Sequence, residues 1–250
     1  ARWLALLLGA PLITWGQFSE SPATVAPGGW LMETDVVSVA FDRHTPSRDG
    51  VHYRSTVVGY VQVTTGITPT FDFQLGFDSW REERARDALG MTRVRGTGEL
   101  YVRAKWRIWE RGDAAIAVLP YWRVADTADI ELRPRRAQFG VVLPWSTQAN
   151  DRWWLGGQFQ ADWLDDGGAG RDEWFAATLV GGRALTVAVG FYLEAVTYVS
   201  RQATRDWAAA VGGGFTWQVA ERFSWDLGFL VGCTRSAPDF NPALRFVWEF

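Results

Sequence analysis

Apolar and polar residues alternate with a period of two along most of the chain after Gly29. In residues 71–78 every odd position is large and apolar, and every even position is Asp, Gln or Gly. Residues 98–109 show the same alternation. Because successive side chains of a β-strand point to opposite faces, such segments form strands with one apolar and one polar face. The pattern predicts an all-β protein.

The polar faces of these strands carry charges of both signs near their centres, including Arg103, Lys105 and Asp226. In a soluble β-sandwich the polar face contacts bulk water. In a transmembrane barrel the apolar face contacts lipid, and the polar residues line the lumen. We therefore predict a transmembrane antiparallel up-and-down β-barrel. A soluble ligand-binding barrel is the least favoured alternative.

Turn residues divide the chain into twelve candidate strands, most of them close to the roughly 9–11 residues that a tilted transmembrane strand needs. These strands are 30–42, 51–64, 70–79, 97–109, 114–125, 130–143, 152–164, 172–181, 185–198, 206–218, 223–232 and 243–250. Short links alternate with longer polar ones, of which 79–95 is the longest. Short periplasmic turns and long external loops are typical of outer-membrane barrels, so both termini are expected in the periplasm. Whether residues 79–95 fold into the lumen stays open.

The N-terminal region has the features of an export signal. Residues 3–15 form an apolar stretch that follows Arg2 and is too short to span a bilayer as a helix. We assign residues 1–26 to a signal peptide and N-terminal segment, and residues 27–250 to an outer-membrane β-barrel. Cleavage after Gly16, Ala23 or Ala26 fits the sequence equally well.

The last strand ends the chain on an aromatic residue. Phe246, Trp248 and Phe250 share its apolar face and alternate with Arg245, Val247 and Glu249. Such an ending resembles the signal that the bacterial barrel-assembly machinery recognises. It predicts a protein of the Gram-negative outer membrane, surrounded by outer-membrane lipid and lipopolysaccharide.

The composition adds one positive signal and several exclusions. Sixteen tryptophans suit membrane interfaces, and we assign Trp153, Trp163, Trp225 and Trp248 to an interfacial girdle. The strand pattern places Trp109 and Trp154 inward instead. With 25 basic and 28 acidic residues, there is no basic stripe for nucleic acid. The single cysteine excludes an internal disulfide and a cysteine-cluster metal site, and no cofactor or metal is predicted.

The stretch Gly96-Thr97-Gly98-Glu99-Leu100, followed by Lys105-Trp106-Arg107, resembles a motif of a known outer-membrane family. The family is labelled "putative meta-pathway phenol degradation protein", and its usual motif has Asp where this chain has Glu99. Residues 117–121 and 192–194 resemble later strands of the family, the second of them with an inward glutamate at Glu194. The resemblance implies a barrel with a transport role for small solutes.

The predicted solute pathway consists of charged side chains on the inward faces of the strands. It comprises Arg54, Asp72, Glu99, Arg103, Lys105, Arg107, Arg123 and Glu194. Arg103, Lys105 and Arg107 form a cation ladder on one strand face, and these like charges repel unless carboxylates or a solute neutralise them. Glu99 and Asp72 are candidate partners.

The sequence is compatible with three functions. The leading one is an outer-membrane channel for passive passage of small solutes, with aromatic or anionic compounds as candidates along the ladder. A closed structural or adhesive barrel, sealed by ion pairs across the lumen, is the alternative. An outer-membrane hydrolase using His44 or His52 ranks lowest, because on a strand His52 and Ser55 point to opposite faces. We predict that the protein is not an enzyme.

Overall fold

The computed structural model of the protein describes residues 18–43, 51–166, 170–202 and 207–250. In these ranges the chain forms strands and one short 3-10 turn, Ala125–Thr127. The strands are β1 (Trp30–Asp42), β2 (His52–Thr68), β3 (Phe71–Arg86), β4 (Met91–Gly96), β5 (Leu100–Arg111), β6 (Ala114–Val124), β7 (Gln138–Gln148), β8 (Trp154–Asp165), β9 (Arg171–Ala184), β10 (Val189–Ser200), β11 (Ala208–Ala220), β12 (Phe223–Gly232) and β13 (Phe240–Glu249).

The strands form a closed antiparallel barrel in which chain neighbours are also spatial neighbours. The barrel closes where β1 pairs with both β2 and β13. Residues 71–77 of β3 pair with β5, and residues 81–86 pair with β4. Since β4 and β5 lie one after the other along the same edge of β3, the thirteen strand segments form a twelve-stranded barrel. The predicted twelve-stranded transmembrane barrel is confirmed.

The two ends of the barrel differ in the length of their connections. At one end, called here the short-turn end, the links are 69–70, 112–113, 149–153, 185–188 and 221–222. At the long-loop end they include 43–51, 125–137, 166–170, 201–207 and 233–239. The first and last strands meet at the short-turn end, where Trp30 and Phe250 exchange backbone hydrogen bonds of 3.2 and 3.0 Å.

The apolar face of each strand points away from the barrel and the polar face points into it. Leu193 is 61% exposed, whereas its chain neighbour Glu194 is 3% exposed. This arrangement is the inverse of a water-soluble core and matches a lipid-contacting surface around a polar lumen.

Among the residues that the structure describes, no helix has the length and apolar character needed to cross a membrane.

The predicted strand 130–143 is wrong by about half its length, because residues 130–137 belong to a long loop and β7 continues through Pro144. A proline cannot donate to a strand ladder and is tolerated where the ladder is interrupted. Pro144 lies at such a place, since the β6–β7 register passes from Leu119↔Val142 to Ile116↔Trp145.

Most of the predicted loop 79–95 is instead a hairpin of β3 and β4. β2 pairs with the same part of β3, so the three strands extend the sheet beyond the rest of the barrel rather than folding into the lumen. Charged pairs support the extension: the Glu82 carboxylate contacts Arg54 at 3.4 Å and also pairs with Arg84 and Arg93.

One side of the lumen is filled by large side chains lying over small ones. Tyr192 extends across Gly214 and Gly228, where a Cβ at either glycine would collide with its ring or hydroxyl. Its hydroxyl donates to Asp226 at 3.0 Å. At the long-loop end of this side, an apolar cluster including Leu230 and Ala237 adds further packing.

Candidate functional site: the barrel lumen

Residues 18–26 lie inside the barrel, and we call them the inner segment. The first described residue, Phe18, lies against the wall at β9 and β10. From there the chain crosses the lumen to the opposite wall and enters β1 at the short-turn end. The segment has no strand of its own, so side chains of the wall provide most of its hydrogen-bond partners.

The tip of the inner segment is bound by Glu194. The backbone N–H groups of Phe18 and Ser19 donate to its carboxylate at 3.2 and 2.8 Å, and the Ser19 hydroxyl donates at 2.7 Å. The Ser19 hydroxyl also contacts Thr178 Oγ1 at 2.6 Å. Hydrogen bonds to an ionised group are roughly twice as strong as neutral ones, so Glu194 is the principal anchor of the tip.

The middle of the inner segment is bound on both sides. The N–H of Glu20 donates to Gln158 Oε1 at 2.7 Å, while its carboxylate forms an ion pair with Arg103. Three residues further on, the carbonyl of Ala23 accepts a hydrogen bond from Lys105 Nζ at 3.2 Å.

The base of the inner segment packs closely against β2 and β3. The N–H of Val25 donates to both oxygens of Asp72, at 3.0 and 3.1 Å. The backbone of Gly66 touches the carbonyls of Val25 and Ala26 so closely that a Cβ there would overlap both oxygens. Gly66 therefore permits this approach of two backbones.

These contacts account for the cation ladder. Arg103 and Lys105 bind the inner segment, and Arg107 donates to the carbonyl of Pro69 at 2.7 Å. The sequence placed the three cations on one inward face, as observed, but did not reveal that residues 18–26 occupy the space in front of two of them. Their predicted role in a solute pathway stays a prediction.

A cavity of about 300 Å³ lies between the inner segment and the long-loop end. Phe18 and Glu20 border it on the side of the inner segment, and Val142 lies on its wall. The polar lining consists of tyrosines, arginines, carboxylates, two glutamines and one serine. These are Tyr60, Tyr101, Tyr121, Arg81, Arg103, Arg123, Asp35, Asp78, Gln158, Gln160 and Ser38.

The aromatic and charged groups of the cavity hold each other in place. The guanidinium of Arg123 lies 5.0 Å from the ring centre of Tyr101, which meets Tyr60 edge to face at 5.7 Å. Arg123 also lies 3.6 Å from the carboxylate of Glu99. The hydroxyl of Tyr121, which lies on β6 together with Arg123, donates to an oxygen of Asp162 on β8 at 2.5 Å.

The other predicted site residues lie away from the cavity. Arg54 belongs to the sheet extension, as described above. His52 is exposed at the beginning of β2, and His44 lies outside the described residues. Within the described part of the chain, no three His, Cys, Asp or Glu residues are grouped to hold a metal ion.

The predicted girdle tryptophans lie toward the two ends of the barrel. Trp163 stacks on Phe139 toward the long-loop end, with ring centres 5.3 Å apart. Trp153, Trp225 and Trp248 lie toward the short-turn end. The inward prediction for Trp109 is wrong, because a bulge at residue 108 shifts the β5–β6 register and turns its side chain outward.

The aromatic residues of the last strand pack in pairs on the outer surface. Phe246 contacts Trp225 of β12 with ring centres 5.6 Å apart, and Trp248 contacts Phe250 at 5.4 Å. Their predicted role as an assembly signal stays a prediction.

A family model described as "Putative MetA-pathway of phenol degradation" matches residues 16–250, nearly the whole chain. The chain belongs to this family. The resemblance seen in its sequence motifs is thereby confirmed, and the match includes the inner segment as well as the barrel.

Several solved structures share the fold at low sequence identity. The crystal structure of the COG4313 outer membrane channel from Pseudomonas putida F1 aligns with a TM-score of 0.69 and 15% identity, covering 95% of this chain and all of that one. The NanC porin aligns with a TM-score of 0.54 and 9% identity, covering 87% of this chain and 98% of that one. The translocator domain of the autotransporter NalP from Neisseria meningitidis aligns with a TM-score of 0.56 and 9% identity, covering 89% of this chain and 88% of that one. No curated protein sequence matches this chain. The fold is thus that of the outer-membrane β-barrels.

Proposed function

We propose that this protein is a passive channel of the bacterial outer membrane for small solutes. Its short-turn end faces the periplasm, since outer-membrane barrels have short turns on that side. The observation that carries the proposal is the polar cavity of about 300 Å³ inside the barrel, toward the long-loop end. This volume is at the lower end of the ~300–1,000 Å³ typical of small-molecule sites.

The lining favours small polar aromatic solutes. Three tyrosines offer ring faces and hydroxyls, and three arginines offer planar donors that stack on rings as well as binding anions. Two of the similar structures are named as a channel and a porin, which is consistent with this function.

A closed barrel is the second candidate, and the inner segment is the observation that favours it. Residues 18–26 cross the lumen on the short-turn side of the cavity and are held there by one ion pair and by hydrogen bonds to the wall. If the inner segment never moves, the cavity is a pocket without an exit, and the barrel has a structural role.

Obstructing the cavity separates the two candidates. Val142 lies on the cavity wall, and its chain neighbour Leu143 points outward and is exposed. In proteoliposomes, Val142→Trp should reduce the influx of phenol-sized solutes several-fold, while Leu143→Trp, the matched control, should leave it unchanged. Both variants must first show the heat-dependent shift in gel mobility of a folded barrel. Equal influx in both, or none above protein-free liposomes in the parent, contradicts the proposed channel.

A further inference from the structure

Arg103 sits in a site built to bind a carboxylate. Its side chain is 11% exposed. One terminal nitrogen donates to the side-chain amide oxygen of Gln62, and the other pairs with the carboxylate of Glu20. The same amide oxygen accepts a hydrogen bond from the hydroxyl of Tyr60 at 3.0 Å. Arg103 Nε has no hydrogen-bond partner among the described residues, so a donor remains for a second ligand oxygen.

The carboxylate in this site belongs to the inner segment rather than to the barrel wall. The other arginines near the cavity pair with acids of the wall. These pairs are Arg245–Asp35 at 2.6 Å, Arg81–Asp78 at 2.9 Å and Arg123–Glu99 at 3.6 Å. Glu20 differs because strand pairing does not fix its backbone, and its side chain borders the cavity.

We propose that Arg103 is an exchangeable carboxylate site, at which a monocarboxylate solute replaces Glu20 and thereby releases the inner segment. The inference rests on the proposed channel function and names the solute class that operates it. Exchange of one carboxylate for another leaves the charge around Arg103 unchanged, so the solute brings no uncompensated charge into the lumen. The adjacent rings of Tyr60 and Tyr101 suit a small planar body attached to that carboxylate.

Release of the inner segment follows from mass action. A solute shifts the equilibrium only if it binds the released state better than the bound one. Because Glu20 blocks the site in the bound state, a solute carboxylate meets that condition at Arg103. Glu194 and Asp72 still hold the tip and the base, so the solute must compete with the whole segment and is expected to act at high concentration.

The test measures the accessibility of the inner segment. Cys233, exposed and the only cysteine, is replaced by Ser, and Ser21, half-buried in the inner segment, is replaced by Cys. The rate of modification by a polyethylene-glycol maleimide is then compared in benzoate, in its neutral analogue benzamide, and in sodium chloride of equal ionic strength. Benzoate should raise the rate about threefold or more, and neither control should.

Three variants provide the controls. Arg103→Gln should raise the basal rate and abolish the benzoate response, while Glu20→Gln should raise the basal rate and keep Arg103 able to bind benzoate. Arg201→Gln, which removes an exposed cation that pairs with Glu173 at the long-loop end, should respond as the parent does. Equal rates in benzoate and benzamide, or a benzoate response that survives Arg103→Gln, would overturn the proposal. Solute influx that depends on the cavity, without a benzoate response, would refute the exchange and leave the channel standing.

Discussion

Loss of the charge on Glu194 should open the lumen. Three donors of the inner segment bind this carboxylate, which is almost completely buried. Hydrogen bonds to a charged group contribute about 1.5–3 kcal/mol and neutral ones about 0.5–1.5, so Glu194→Gln weakens each bond by roughly 1 kcal/mol. The Phe18 bond is long and divided between two oxygens, so we expect a total of about 2–3 kcal/mol. That total shifts the ratio of released to bound segment by about 30- to 150-fold.

The assay is single-channel recording in a planar bilayer, with the fraction of time in the conducting state as the readout. Asp226→Asn is the matched control, because Asp226 is also a buried inward carboxylate but accepts from Tyr192 of the barrel wall. The open fraction should rise in Glu194→Gln and stay near that of the parent in Asp226→Asn. An equal effect of the two variants would show that general loss of lumen charge, rather than release of the tip, controls opening.

Three further predictions concern the base of the inner segment and the two chain ends. Gly66→Ala places a methyl group against the carbonyls of the inner segment and should destabilise its bound state by about 1–3 kcal/mol, seen as a higher open fraction in the same recordings. An unchanged open fraction would show that the base does not hold the segment. Mass spectrometry of the exported protein should find Gln17 as its first residue; a start at Thr24 or Pro27 would remove most or all of the inner segment. Phe250→Ser should lower the amount of heat-modifiable barrel in outer-membrane fractions several-fold, and a normal amount would argue against the assembly signal.

The barrel was predictable because its signal is local. In residues 223–232 the alternation of apolar and polar residues gives both ends of β12 as the structure has them. A lipid-facing strand needs an apolar residue at every second position, so each strand can be predicted from its own residues alone. The inward placement of Glu99, Arg103 and Glu194 follows from the same alternation and is observed.

The register could be predicted only where the alternation continues without interruption. The bulge at residue 108 reverses the side on which Trp109 lies, and nothing in the sequence marks it. The strand predicted to end at residue 143 instead passes through Pro144, where the neighbouring ladder is interrupted. The β3–β4 hairpin was taken for a loop because its Arg- and Glu-rich sequence has no apolar face.

The inner segment was not predictable from the pattern. Its contacts join residues far apart in the chain, as between Ser19 and Glu194, which are separated by 175 positions. It has no alternation, and its proximity to the apolar N-terminal stretch suggested an export signal instead. The one indication in the sequence was the cation ladder, whose like charges require partners. Glu99 and Asp72 of the wall were the candidates, whereas Arg103 pairs with Glu20 of the inner segment.

A channel closed by residues 18–26 is tested most directly by deleting them. The parent chain and the deletion variant would be refolded in detergent and recorded in planar bilayers under a salt gradient. We predict small or intermittent currents for the parent and a larger, steady conductance for the variant, because the segment that crosses the lumen is then absent. A deletion variant that folds as a barrel and still conducts no current would contradict this account and favour a closed structural barrel.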